Sequence, residues 1–434
     1  MDVAIQSALI LFITFLVQLG IGIPISISIG ISTLITGLSA LPADLAIFSI
    51  VQNMIGGVDS FSLLAVPLFV LAGNIMNNGG IARRLVDFSK VIAGRLPGYL
   101  AHTNVLGNML FGSLSGSAVA SAAAIGGTMA PIQKDEGYEA SFAAAVNIAS
   151  SPTGMLIPPS GVLILYSLVS GGVSISALFI AGYIPGILMG LATMVIAYIY
   201  AKKKNYPVAD RVSFKEGIGS FFRAIPSLML IVVVIGGIVF GVFTATEGAG
   251  IAVVYTLGLS LLYKSLRWKD IREILLKTGV TTGIIMFLVA ASSAMSYVMA
   301  FTGIPQAIST GIMSVSENPI IILLIMNITL LIVGTFMDLT PAVLIFTPIF
   351  LPIATQLGLH PVHFGIVLVF NLCIGIMTPP VGSVLFIGCS VAEVSIEKVI
   401  KPLIPFFIAL IGILLLLTYV PAISLFLPRL FGLI

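Results

Sequence analysis

The chain has 434 residues, of which 59% are hydrophobic and 8% charged, and its mean hydropathy is +1.20. A water-soluble globule needs far more charge than this, so the chain belongs in a membrane, and apolar runs of about 20 residues, enough to cross a bilayer core as a helix, recur along it. The net charge of +3 is too small to signal nucleic acid, and long runs such as 227–243 lack the alternation of an outer-membrane β-barrel.

No basic residue precedes Arg83, so the first apolar run reads as a retained span rather than a cleaved signal peptide. Spans are expected near 3–21, 24–39 and 61–79, with a loop over 40–60. Residues 80–96 set Ile81, Leu85, Phe88 and Ile92 on one face and Arg83, Arg84, Asp87 and Lys90 elsewhere, the pattern of an interfacial arm helix. A re-entrant hairpin follows over 99–133, then a broken span over 139–172 and a span over 177–200 that ends in Lys202, Lys203 and Lys204. Residues 201–224 read as a cytoplasmic connector. The second half runs through spans at 225–243 and 248–263, an arm over 264–278 and a span over 279–302. Residues 304–318 read as a loop; a hairpin over 319–356, a broken span over 363–392 and a last span over 403–425 follow.

Two segments interrupt these runs in the same way. Met155-Leu156-Ile157-Pro158-Pro159-Ser160-Gly161 recurs 221 residues later as Ile376-Met377-Thr378-Pro379-Pro380-Val381-Gly382. At the same offset Pro131 matches Pro352, Gly137 matches Gly358, Gly154 matches Gly375, and Val173-Ser174-Ile175 matches Val394-Ser395-Ile396. Proline lacks an N–H and crowds the preceding turn, so each Pro-Pro breaks its helix. Such breaks at membrane depth survive only where protein or a water-filled cavity covers them, and paired breaks in a duplicated chain mark a transporter site. Lys and Arg gather on the cytoplasmic side. With both termini periplasmic, 18 of the 19 Lys and Arg fall inside and only Arg429 outside. The first repeat (1–200) then crosses an odd number of times, which inverts the second (225–434). The expected fold class is an all-α polytopic membrane protein of two inverted-topology repeats, each with a hairpin and a broken helix.

The first hairpin centre reads Gly112-Ser113-Leu114-Ser115-Gly116-Ser117, and Asn147, Ser150, Ser151, Pro152 and Thr153 lie across from it. Hydroxyls and freed carbonyls are hard donors that suit Na⁺, and broken helices offer carbonyl ends to cations and N–H ends to carboxylates. Close helix packing through small residues is the competing explanation. The second centre reads Gly334-Thr335-Phe336-Met337-Asp338-Leu339-Thr340-Pro341, faced by Asn371, Thr378 and Ser383. Asp338 is the one acid expected deep in an apolar stretch, at a cost of at least about 2.5–3.5 kcal/mol, so it calls for a partner or an ion, the alternative being a water-exposed aspartate at a hairpin mouth. Glu247 suits a helix N-cap. There is no Walker A sequence and no HExxH; His102, His360 and His363 lack metal-ligand spacing, and Ser113-Leu114-Ser115-Gly116 lacks the leading glycine of a GxSG motif. Cys373 and Cys389 read as buried thiols.

These motifs resemble the large membrane subunit, of DctM/SiaM type, of TRAP (tripartite ATP-independent periplasmic) transporters. The resemblance rests on 112–117, Ala130-Pro131, Gly137-Tyr138, 157–160, 179–186, Thr246-Glu247 and 375–380, in order across both halves. It implies a Na⁺-coupled symporter of the bacterial inner membrane with elevator-type transport and scaffold domains and no cofactor beyond the coupling ion. It further implies a periplasmic substrate-binding protein and a four-helix small membrane subunit, expected here as a separate chain. By position its sodium sites fall on Ser115, Gly116, Ser117, Ser151 and Pro152, and on Gly334, Thr335, Asp338, Met377 and Thr378. The organic acid would meet Ser113, Asn147, Ser150, Thr153, Ser160, Asn371 and Ser383. Pro152 departs from many members, and the stretch after Pro158 is closer to sialic-acid members than to dicarboxylate ones. A stand-alone Na⁺/dicarboxylate symporter and an intramembrane hydrolase are the alternatives.

Overall fold

The computed structural model describes residues 3–78, 80–209, 214–316 and 318–434, and those residues are helical with no strand. The first half holds α1 (Val3–Gly20), α2 (Ile25–Ala40), α3 (Ala43–Val58), α4 (Ala65–Asn78), α5 (Ile81–Ala93), α6 (Tyr99–Ser115) and α7 (Ala118–Asp135). It continues through α8 (Ala140–Ser150), α9 (Thr153–Leu156), α10 (Gly161–Val169) and α11 (Ile175–Lys204). The second half holds α12 (Phe214–Val239), α13 (Ala245–Leu262), α14 (Trp268–Thr302), α15 (Ile304–Val315), α16 (Pro319–Phe336) and α17 (Leu339–Gln356). It ends with α18 (Pro361–Gly375), α19 (Ser383–Val391), α20 (Ile396–Tyr419) and α21 (Ala422–Leu430). Eight of these helices are long and apolar enough to cross a membrane, or up to 10 spans if the two bent pairs count as one each.

Local chemistry explains most boundaries. Gly80 (φ +67°) and Gly98 (φ +70°) take left-handed backbone that a side chain resists, and they isolate the arm α5 at both ends. Thr244 and Glu247 close a capping box at the start of α13: the Thr244 hydroxyl accepts from the Glu247 amide at 3.2 Å, and the Glu247 carboxylate accepts from the Thr244 amide at 2.7 Å.

Three expectations differ from what is seen. Residues 40–60 and 304–318, read as loops, contain α3 and α15. Asp44, Gln52 and Asn53 interrupt the apolar run of α3, and the helix packs on α14. The second arm is not a separate helix; 269–302 runs on as the body of α14, because no proline or left-handed glycine stands between Lys277 and Gly303. Residues 210–213 of the expected connector lie outside the described residues.

The broken helices sit at the centre. Every residue of 142–157 and of 362–377 is buried. The Cys373 thiol donates to the Pro152 carbonyl at 3.7 Å, and these residues stand 221 apart, the offset of the repeat. A residue that touches its own repeat-mate lies on the axis relating the halves, so the pseudo-two-fold passes here. The flanking contacts exchange accordingly. Ile148 of α8 fills the space beside Gly388 of α19, while Tyr166 of α10 covers Gly365 of α18. The Tyr166 hydroxyl donates to the Pro361 carbonyl at 2.6 Å.

At the base of the first hairpin a polar joint ties it to α11. Glu139 accepts from Lys204 at 2.5 Å and from Tyr200 at 2.6 Å. Tyr138 stacks on Tyr206 at 4.3 Å and Phe142 on Tyr200 at 4.1 Å. The Lys204 and then the Tyr200 hydrogen bond hold the Glu139 carboxyl below its ordinary range. A lowered folded pKa adds stability above the unfolded value and loses it as pH falls through the folded one. The pair is exposed, so the effect is small. Glu139→Gln is expected to lower the melting temperature by about 1 °C at neutral pH, with the difference vanishing between about pH 5 and pH 3. Paired melts across that range check it.

Candidate functional site

Each hairpin meets its broken helix at a pair of glycines. A Cβ on Gly154 would stand 2.2 Å from the Gly112 carbonyl carbon, and one on Gly375 would stand 2.5 Å from the Gly334 Cα. Backbone therefore lies on backbone at the last turn of α6 and of α16. The turns beyond touch the Pro-Pro breaks: a Cβ on Gly116 would reach the Pro159 carbonyl oxygen at 3.7 Å, and the Val381 amide donates to the Thr335 carbonyl at 3.3 Å.

The first tip brings Ser115, Gly116 and Ser117 together. Gly116 supplies left-handed backbone (φ +61°) that closes α6, and the Ser117 hydroxyl caps α7 by accepting from the Ala120 amide at 3.2 Å. On the facing helix Ser151, Pro152 and Thr153 are buried. The hydroxyls turn their protons onto local carbonyls: Ser113 to Leu110 at 2.9 Å, Ser151 to Ile148 at 3.3 Å, Thr153 to Ser150 at 2.6 Å and Ser160 to Met155 at 2.6 Å. That leaves oxygen lone pairs, the feature a hard cation needs.

The second tip differs. Asp338, 221 residues after Ser117 and likewise the N-cap of its second arm, makes no side-chain capping bond to its own helix. Its carboxylate accepts from the Ser383 hydroxyl at 3.2 Å across the break. Asp338 is exposed at the surface of the chain rather than sunk in its packing; the hairpin turn carries it out of the helix interior. The Thr335 and Thr378 hydroxyls donate to Ile332 and Ile374, each at 2.7 Å, and Met377 is buried beside them.

Asn147, Ser150 and Asn371 lie elsewhere than at the tips. The two N–H donors of Asn108 are shared among Asn147 at 3.0 Å, Ser150 at 2.7 Å and Asn104 at 2.8 Å, and its oxygen accepts from Ser121 at 2.7 Å. Asn147 spends its own amide on the Ala122 carbonyl at 2.9 Å. In the second half Asn371 donates to Asn327 at 3.0 Å, and Asn327 donates to Thr418 at 3.0 Å. All of these side chains are buried. They join the first arm of each hairpin to its broken helix. Sequence reasoning missed Asn104, Asn108, Ser121, Asn327 and Thr418; the available signal was an asparagine inside an apolar run near matching positions of both halves.

Other chemistries find no support. His363 Nδ1 lies 2.7 Å from the Ser424 hydroxyl and Nε2 lies 3.3 Å from the Thr418 carbonyl, which can only accept, so both ring nitrogens are engaged in packing contacts. His102 and Ser113 stand 11 residues apart on α6, a rise of about 16 Å, too far for a nucleophile and its base. Among the described residues no three His, Cys, Asp or Glu gather as a metal site.

The family described as "Tripartite ATP-independent periplasmic transporter, DctM component" matches residues 12–423. The chain belongs to that family. It is therefore a multi-pass TRAP large permease, a transport subunit and not an enzyme. It is 38% identical to the C4-dicarboxylate TRAP transporter large permease protein DctM of Pseudomonas aeruginosa, over 93% of this chain and 94% of that one. It is equally 38% identical to the sialic acid TRAP transporter large permease protein SiaM of Vibrio cholerae, over 88% and 89%. A protein of Salmonella typhimurium, YgiK, shares 55% over 99% and 98%. In this permease the glycine crossings and asparagine clamps are the geometry that fixes the hairpin tips against the helix breaks.

Proposed function

We propose that the permease is the membrane path of a Na⁺-coupled symporter for an organic acid of the sialic-acid or C4-dicarboxylate class, working by an elevator movement. The observation that carries this reading is the doubled crossing, in which each hairpin tip rests on a helix break around one pseudo-two-fold axis. Na⁺ would sit at Ser115, Gly116, Ser117, Ser151 and Pro152 in one half and at Gly334, Thr335, Asp338, Met377 and Thr378 in the other. The substrate carboxylate would use the N-terminal ends of α10 and α19, with Ser113, Thr153, Ser160 and Ser383 nearest the breaks. The hairpins and broken helices would move as one body against α1–α4 and α12–α14. A tight contact with the fixed part lies at Gly73, where a Cβ would come within 2.8 Å of the Ser115 carbonyl oxygen. A periplasmic binding protein would deliver the acid and a four-helix small subunit would complete the scaffold. The basic blocks support an inner-membrane placement with both termini periplasmic. Equal identity to dicarboxylate and sialic-acid relatives favours neither acid, and the choice between them would rest mainly with the binding protein.

Uptake into liposomes holding this chain and its small subunit tests the reading. Transport is expected only with an inward Na⁺ gradient and binding protein; equal uptake without either overturns it. Asp338→Asn is expected to raise the Na⁺ concentration for half-maximal uptake about tenfold, the loss of one ion-paired carboxylate ligand. Unchanged Na⁺ dependence removes Asp338 from the coupling site.

A further inference from the structure

A second polar site lies away from the hairpins, at the elbow where the arm α5 meets α12 and the end of α13. A cleft of about 300 Å³ is lined there by Arg83, Arg84, Asp87, Arg223, Tyr263 and Ser265, among others. Three guanidinium groups share it with a single carboxylate. None of the three has a carboxylate within ion-pair distance among the described residues, where the only ion pair is Lys204–Glu139. The Arg84 guanidinium lies over the Tyr263 ring at 3.6 Å, which fixes its plane, and Arg223 donates to Ser220 at 3.2 Å. The Tyr263 hydroxyl is buried and has no partner among the described residues. A buried donor left unpaired beside uncompensated positive charge is the complement of an anion with oxygen acceptors.

The lip of the cleft names the kind of anion. Phe88 of α5 packs on Phe221 of α12 with ring centroids 5.8 Å apart, and Phe221 and Phe222 remain 44% and 65% exposed. Aromatic rings beside arginines mark a membrane–water interface, and the cleft opens on the face where Lys and Arg concentrate. A soluble anion has no use for the apolar lip, whereas a phospholipid uses both parts. Basic pockets between helices on this side of a membrane suit anionic headgroups.

We propose that this elbow binds the phosphodiester of an anionic phospholipid. Arg83, Arg84 and Arg223 face the phosphate, the Tyr263 hydroxyl donates to it, and the acyl chains lie along Phe221 and Phe222. The lipid then fastens the arm, which leads into the first hairpin, to the α12–α13 pair. The site shares no residue with the proposed Na⁺ or substrate positions, so its test stands apart from theirs.

The test uses the full chain in neutral detergent. Phosphatidylglycerol, phosphatidylcholine and inorganic phosphate are added separately, and melting temperature and retained lipid by native mass spectrometry are read. Phosphatidylglycerol is expected to raise the melting temperature by about 3 °C and remain bound one per chain, while the other two do neither. Arg83→Gln/Arg223→Gln changes two exposed side chains, so folding should survive, and it is expected to lose most of the shift and the retained lipid. Arg84→Gln, which removes the stacked guanidinium, is expected to do the same. An undiminished shift and full lipid retention in both variants overturn the site. A shift given equally by inorganic phosphate overturns the lipid assignment.

Discussion

Alanine at Gly154 is expected to reduce uptake at least about 100-fold and to lower the melting temperature by about 5 °C. The added carbon would lie 2.2, 2.3 and 2.6 Å from the carbonyl carbon, Cα and oxygen of Gly112. Ordinary contact needs about 1 Å more, and the obstacle is backbone on both sides, so no side chain can swing away. The hairpin tip must lift from the break that it is proposed to meet around an ion. Gly375→Ala should behave alike, with its Cβ at 2.5 to 2.9 Å from Gly334. Gly127→Ala in α7 is the control, because a Cβ there meets nothing within 4 Å, and alanine should be neutral or slightly stabilising in that helix. Uptake assays and melts of the three variants decide the matter; a fully active Gly154→Ala would mean that the crossing is not needed.

Asn108→Leu is expected to destabilise the protein by about 2–3 kcal/mol, the largest loss for any single polar side chain at the site. Asn108 shares its two N–H donors among three side chains and accepts from a fourth. Leucine would fill the volume but strand the Asn147 oxygen and leave the Asn104 oxygen and the Ser121 hydroxyl only longer bonds, to the Ser150 hydroxyl at 3.5 Å and to the residue 108 carbonyl at 3.4 Å. Asn327→Leu removes a smaller network, its bonds with Asn371 and Thr418, and should cost about half as much. Denaturant titration in detergent compares them. Equal effects would show that the first clamp does not act as a unit.

The parts of this protein that could be read from its sequence are those governed by local chemistry. The Pro158-Pro159 and Pro379-Pro380 breaks, the Gly116 turn and the Thr244–Glu247 capping box follow from the conformational limits of a few neighbouring residues. The helix α3 was hidden because Asp44, Gln52 and Asn53 interrupt its apolar run, and it packs on α14. The fused α14 was hidden because an amphipathic stretch followed by an apolar one looks the same whether or not the chain bends between them. That Asn147 and Asn371 bond to other asparagines was hidden because a polar residue in an apolar run reads alike whether it faces a ligand or another asparagine.

By itself the sequence determined a membrane protein of two related halves, its family, and the places where its helices must stop, since composition, repeat offset and proline need no distant partner. Only the tertiary structure decided that Pro152 meets Cys373 on the axis, that Gly112 meets Gly154, that Asn108 closes on Asn147, and that Asp338 stands exposed beside Ser383. These contacts join residues about 40 to 220 positions apart. They are set by how whole helices pack, which neither propensity nor periodicity encodes.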